Sequence, residues 1–204
     1  SSMSAKYLQD QGYSVVGCYM KLHGRGDYHR HNIENVKKVC EFLGIETHVL
    51  DLQETFKKEV YDLFVNSYKD GITPNPCAHC NRLIKFGALW EFAKSLGCDK
   101  IATGHYARIE NGLIKSAIDE TKDQSYFLAN LDPQILPYII FPLGDKLKVD
   151  IKAQASQIPQ IASLASQKES SEICFVETTY IDVLKQHYNT NLPGIVRNSN
   201  GDAI

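Results

Sequence analysis

Amphipathic helical stretches alternate with short apolar runs along the first half of this chain, and no other feature restricts its fold as much. Residues 2 to 11 read as a helix, with Met3, Ala5 and Leu8 on its apolar side and Gly12 as its stop. Tyr13 to Met20 follows as a mostly apolar strand. From Asn32 a second helix sets Ile33, Val36, Cys40 and Leu43 at helical spacing and ends at Gly44. Residues 47 to 52 give the next strand, and residues 54 to 71 a helix that buries Phe56, Val60, Leu63 and Phe64. A turn-rich ITPNPCAHCN leads into a helix over residues 82 to 97, and DKIATGHYARI reads as a strand running into a loop. This βα repetition predicts an α/β fold of the doubly wound type, a mostly parallel sheet with helices on both faces.

The repetition opens on a helix, whereas in such folds a strand and its phosphate-binding loop normally come first. The expectation is that both are missing from this chain. Beyond Ala107 the pattern changes to short alternation around Asn111-Gly112, the preferred pair for a type I′ hairpin. A mixed helical and loop segment follows, then a helix over Thr179 to Tyr188 and a hairpin-like Asn200-Gly201 that ends before a partner strand. The expected division is a catalytic portion over residues 1–120 and part of a smaller central one over 121–204.

Composition narrows the function classes. Hydrophobic residues at 43% and charged ones at 23% describe a globular chain, not a disordered or collagenous one. Lys plus Arg number 22 against 24 Asp plus Glu, a net charge of −2, so nothing global points to nucleic acid, though a net count is silent about a local basic groove. No run approaches the roughly 18 apolar residues of a membrane helix, and SSMSAKYLQDQG is not a secretory leader. A cytoplasmic location is expected. Six cysteines in 204 residues are too sparse for a disulfide scaffold, which leaves thiol chemistry or metal binding in a reducing compartment.

The densest chemical constellation is Asn75-Pro76-Cys77-Ala78-His79-Cys80-Asn81. Cys80 sits at or beside the next helix's N-terminus, where unpaired N–H groups and the helix dipole favour a thiolate. Packing cysteines, sulfur or redox chemistry, and metal binding stand side by side as readings. Structural zinc needs four ligands, and no second CxxC exists; an iron–sulfur cluster on Cys77, Cys80 and Cys174 is chemically open. Cys174 reads either as a buried strand cysteine or, after the polar QKESSE, as an exposed one on a loop that folds back to the CxxC. Cys18 and Cys40 read as core, and Cys98 has no evident partner. Thr103-Gly104-His105-Tyr106 follows apolar Ile101-Ala102 and is either a plain turn or a ligand loop at a strand's carboxyl end, where Gly104 admits a phosphate or adenine. Lys122-Asp123-Gln124-Ser125 is a polar patch in which Asp123 serves equally well as an N-cap. His29 and His31 lie in GRGDYHRH, read as a solvated basic loop. No GxxxxGK[ST] occurs and no Ser-His-Asp order stands out.

Five collinear strings, TPNPCAHCNRLIKFGAL at 73–89, KIATGHYARI at 100–109, TKDQSYFLANL at 121–131, IIFPLGD at 139–145 and SSEICFVE at 170–177, resemble the bacterial tRNA-specific 2-thiouridylases. The resemblance spans essentially the whole chain. It implies an adenine-nucleotide alpha-hydrolase (PP-loop ATPase) fold and ATP-dependent thiolation of the tRNA wobble uridine. Carried over by position, Cys80 resembles the nucleophile and Cys174 the persulfide carrier that can form a disulfide with it. Asn75, Pro76 and Cys77 match a segment that touches the target base; Ser1, Met20 and Gly104 match positions that contact ATP, used with Mg²⁺; and His105, Lys122, Asp123 and Gln124 match tRNA-contacting positions. Ser1 would be the last serine of the family's SGGVDS loop, and the family's C-terminal barrel would lie beyond Ile204, so this chain alone is expected to bind ATP poorly and to be inactive. Where some members carry an aspartate acid–base catalyst, this chain has Cys77. The expected partners are tRNA and a sulfur-donor protein, with no resident metal and a monomeric state. The alternatives are iron–sulfur-dependent thiolation through Cys77, Cys80 and Cys174, a thiol–disulfide oxidoreductase using Cys77 and Cys80, and a zinc-stabilised RNA-binding module.

Overall fold

Parallel pairing of strands that follow one another through a helix needs a crossover on one face, and the first such unit is built as the periodicity predicts. The computed structural model describes residues 2–24, 26–165 and 173–204. Helix α1 (Ser2–Asp10) precedes β1 (Gly17–Lys21), α2 (Gly26–Leu43) and β2 (Thr47–Asp51). β1 and β2 pair in parallel, Gly17 opposite Thr47 and Lys21 opposite Asp51. The contact between strand and crossover is close: a Cβ at Gly17 would stand 2.5 Å from the Cys40 sulfur on α2.

Next come two long helical runs that change their winding. The first joins α3 (Gln53–Phe56), a π-helical Lys57–Tyr61 and α4 (Asp62–Lys69). The second joins α5 (Pro76–Cys80), a π-helical Asn81–Ala88 and α6 (Leu89–Ser95). β3 (Ile101–Ala102) then pairs in parallel with β6 (Ile139–Ile140), a pairing that joins residues on either side of position 120. Between them β4 (Ala107–Glu110) and β5 (Leu113–Ser116) form an antiparallel hairpin. Its turn has positive φ at both Asn111 (52°) and Gly112 (73°), the type I′ geometry the Asn-Gly pair predicts. Helices α7 (Lys148–Ser156), α8 (Pro159–Ala165) and α9 (Tyr180–Lys185) complete the order, the last capped by Thr179.

Met3, Val39, Leu143, Ile151 and Ile161 bind α1, α2, α7 and α8 together. Phe86, Ile101, Ala107, Leu128 and Ile139 fill the space beneath the hairpin. Phe56, Val60, Cys80 and Ile84 lock the two long helical runs against each other. Phe64 and Val65 pack on Val176, Val183 and Leu184.

The α/β class holds, with a difference in the sheet. Among the described residues the strands form two parallel pairs and a hairpin, not one continuous sheet, because β3 and β6 are only two residues long. GRGDYHRH is not a solvated loop: from Gly26 onward it is the start of α2, and His29 is 2% exposed. A hydrogen bond of 2.8 Å between its Nδ1 and the Tyr19 hydroxyl, with the His23 carbonyl at Nε2, takes that imidazole inside. Hydropathy carries no trace of such a contact. Cys40 is core as expected, while Cys18 is only half-buried.

Candidate active site

Where β1 and β3 end, a cleft of about 1090 Å³ opens, with Leu22 on one side and Gly104 and His105 on the other. Ligands of open α/β folds bind at this end of the strands. The cleft collects Asn75, Pro76, Cys77, Cys80, Gly104, His105, Lys122, Asp123, Gln124 and Cys174. Met20 does not line it and instead packs behind its wall, against the Phe56, Val60, Cys80 and Ile84 cluster. Ser1 lies outside the described residues, as do Ser170, Ser171 and Glu172 of the SSEICFVE string.

Asn75 starts the helix that carries the CxxC. Its Oδ1 accepts from the Ala78 N–H at 3.0 Å, and Pro76 opens the first turn with φ already near helical values. Cys77 and Cys80 are therefore helical residues and do not sit in the turn. Cys80 is 7% exposed, and burial pushes its thiol up to about 12, with the Lys85 ammonium opposing that rise and the Cys174 and Cys77 thiols adding to it. This corrects the thiolate expectation: Cys80 is the last residue of the first five, past the reach of the helix N-terminus, and desolvation dominates. Burial raises half-buried Cys77 as well, again against Lys85.

Cys174 comes to the cleft on a segment anchored by the next residue. The Phe175 ring meets Phe56 at 5.8 Å, Tyr61 at 5.2 Å and Phe64 at 5.2 Å, edge to face in each case. The residue is exposed, yet protein crowding the sulfur raises its thiol, helped by Cys77 and opposed by Lys85. All six cysteines are free thiols, so the Cys80–Cys174 disulfide is not formed. Among the described residues no three His, Cys, Asp or Glu side chains are grouped to hold a metal ion. Cys77, Cys80 and Cys174 line one cleft.

His105 is neutral. Burial, and then the Lys85 charge, bring its imidazole down to about 3, and its Nδ1 shares a 2.7 Å hydrogen bond with Thr103 Oγ1. Much of the Lys122-Asp123-Gln124 patch is committed internally. Gln124 Oε1 accepts from the Tyr106 N–H at 3.1 Å, and the Gln124 N–H donates to the Tyr106 carbonyl at 2.8 Å. Asp123 accepts from the Ala117 N–H at 2.8 Å and the Ser125 hydroxyl at 2.6 Å; burial pushes its carboxyl up, but these bonds together hold it below the usual range. Asp123 thus ties the hairpin's end to the following turn.

Four lysines line the cleft, Lys85, Lys122, Lys148 and Lys152, against one carboxylate, Asp123. In a chain of net charge −2 this is a local basic groove, suited to phosphate. Lys148 and Lys152 escaped the sequence reading although their spacing of four on α7 puts them on one face. Asn81 also belongs to the lining: its Nδ2 donates to the Phe127 carbonyl at 3.0 Å and its Oδ1 is buried without a partner.

Comparison with known proteins adds the family. Residues 1–178 match the family model described as tRNA methyl transferase HUP domain. Over all 204 residues the chain is 74% identical to the tRNA-specific 2-thiouridylase MnmA of Campylobacter fetus, 62% to that of Campylobacter lari and 60% to that of Campylobacter hominis. The alignments cover 60%, 60% and 55% of those proteins, so the chain spans little more than half the length of the curated relatives it matches.

Proposed function

Because the chain belongs to the tRNA methyl transferase HUP-domain family, we propose that it is the sulfur-transferring portion of an ATP-dependent tRNA 2-thiouridylase. The observation that supports this most is the meeting of Cys80 and Cys174 in one lysine-lined cleft. Thiolation, named in the relatives, needs a sulfur carrier and a second thiol to release its sulfur, and the cleft offers two thiols for those roles. Thiol–disulfide exchange at Cys77 and Cys80 is the weaker reading, because burial raises both thiols where such enzymes lower one.

In this proposal Cys174 carries a persulfide loaded by a donor protein. ATP, with Mg²⁺, adenylates uridine O2, so that AMP becomes the leaving group in place of an unstable oxyanion. Cys80 gives up its proton and attacks the Cys174 sulfur, the Cys80–Cys174 disulfide forms, and hydrosulfide departs to displace AMP at C2. A reductant then restores both thiols. The cleft's four ammonium groups suit a polyanionic substrate. Gly104 is assigned to the nucleotide together with Ser1, and Met20 to shaping the wall behind it. Asn75, Pro76 and Cys77 are assigned to the target base, and His105, Lys122, Asp123 and Gln124 to tRNA. The protein is proposed to act as a monomer in the cytoplasm.

The test is a reconstituted assay with the complete protein, tRNA, ATP and a persulfide donor. Cys80→Ser and Cys174→Ser should each abolish 2-thiouridine formation while tRNA retention stays within about twofold, since serine lacks sulfur nucleophilicity. Near-normal product from either variant would sink the proposal.

A further inference from the structure

The helix that carries Cys80 changes its winding directly after that residue. Asn81–Ala88 is π-helical, and at its end the Leu89 N–H donates to the Ile84 carbonyl, five residues back. Ordinary α-helical turning of about 100° per residue would set position 85 roughly 140° round the axis from position 80, away from the cleft. The wider turn of an i→i+5 ladder returns position 85 to the same face. Cys80 and Lys85 accordingly line one cleft, together with Cys77, Cys174 and His105.

Lys85 is half-buried, and no carboxylate pairs with it among the described residues. Other lysines of the same chain have found one: Lys94 pairs with Glu91 at 2.8 Å, and Lys57 with Asp62 at 2.8 Å. A cation withdrawn from water without a counter-ion is costly. Its neighbours here are groups able to become anions.

We propose that Lys85 is the positioning residue of the sulfur site: the π-helical turn holds its ammonium beside Cys80 and Cys174 so that it stabilises the sulfur anions formed there. The purpose assigned to it rests on the sulfur-transfer reading above. When Cys80 attacks, its S–H bond must break and the proton pass to solvent; Lys85 supplies only its charge to the S⁻ left behind. The same charge favours a persulfide anion on Cys174. Its field acts against the burial of all three cleft thiols and lowers His105. Of the other charged groups on the cleft, Asp123 is tied up with Ala117 and Ser125, and Lys122, Lys148 and Lys152 come from the turn and α7.

The deciding measurement needs neither ATP nor tRNA, so it stands or falls apart from the thiolation assay. Alkylation by iodoacetamide is followed at Cys174 and Cys80 by peptide mass spectrometry from pH 6.5 to 10, in the chain as it is and in Lys85→Gln and Lys85→Arg. Lys85→Gln should slow both thiols on the order of tenfold at pH 8 and move their profiles to higher pH, while Lys85→Arg, which keeps the charge, stays within about twofold. Cys18, in β1, reports folding: its rate should be unchanged. If Lys85→Gln exposes Cys18, Lys85→Met, which preserves the aliphatic stem, makes the same comparison. Superimposable profiles for wild type and the neutral variant, or equal slowing by Gln and Arg, would overturn the proposal.

Discussion

A single amide oxygen decides where the CxxC helix begins. Asn75 Oδ1 takes the Ala78 N–H, one of the backbone donors that a helix start leaves without a partner; Pro76, having no N–H, adds none. Asn75→Ala should therefore cost about 1 kcal/mol in urea unfolding, and Asn75→Asp, which still accepts, should recover most of it. His105 gives a pH dependence of known sign. Unfolded, it takes a proton near 6.5; folded, only near 3, so between those values the unfolded state binds more protons and stability falls as pH falls. The slope from this group approaches about 1.4 kcal/mol per pH unit. His105→Gln should flatten the stability profile between pH 6 and pH 4 relative to wild type, and parallel profiles for the two proteins would refute a neutral buried imidazole. At this scale the sequence was read well for identity and poorly for state: the CxxC stands out, yet whether its sulfur is wet or dry depends on Phe56, Val60 and Ile84, of which only Ile84 is near it in the chain.

Between residues 76 and 95 the sequence reads as a turn followed by a helix from 82, because Pro-rich segments break helices more often than they start them. The Asn-Pro pair nevertheless has the form of an N-cap with proline at N1, so this boundary was within reach. The π-helical winding was not, since nothing in a periodicity of apolar residues distinguishes a widened turn. Gly87 marks it: a Cβ there would come within 3.0 Å of the Arg82 carbonyl oxygen, a backbone atom with little freedom to retreat. Gly87→Ala should destabilise the protein by about 1–3 kcal/mol and speed amide exchange within 81–88, whereas unchanged stability would show that the turn has room. Phe175 is the matching anchor on the other wall. Phe175→Ala gives up three ring contacts and should cost about 2 kcal/mol, with faster hydrogen exchange at residues 173–178 and none of the change in α1. Helices α7 and α8 were hidden for a different reason: α7 buries only Ile151 and Ala155, too thin a stripe to announce a helix.

Across the molecule, charge is sorted rather than balanced. A chain with net charge −2 gathers four lysines and one carboxylate along its cleft, which a total cannot reveal and five motif strings suggest only in part. If tRNA phosphates occupy that groove in the complete protein, Lys148→Ala with Lys152→Ala should weaken tRNA binding and make the slope of log K against log salt shallower by about one to two; an unchanged slope would place the phosphates elsewhere. No helix among the described residues is long and apolar enough to cross a membrane. The widened turn after Cys80 also has a meaning for the gene. Loss of one codon from 86 to 88 would let that stretch rewind with ordinary helical spacing while Cys80 and Lys85 stay five residues apart. Helix α6 could stay seated on its own cluster while everything on the amino-terminal side swings by about 100°, carrying the Cys80 sulfur away from the Lys85 ammonium. The reading frame would survive and so would most of the fold, but the site would be dismantled by three nucleotides, and a screen for in-frame deletions should find losses at 86–88 abolishing function in protein that still folds.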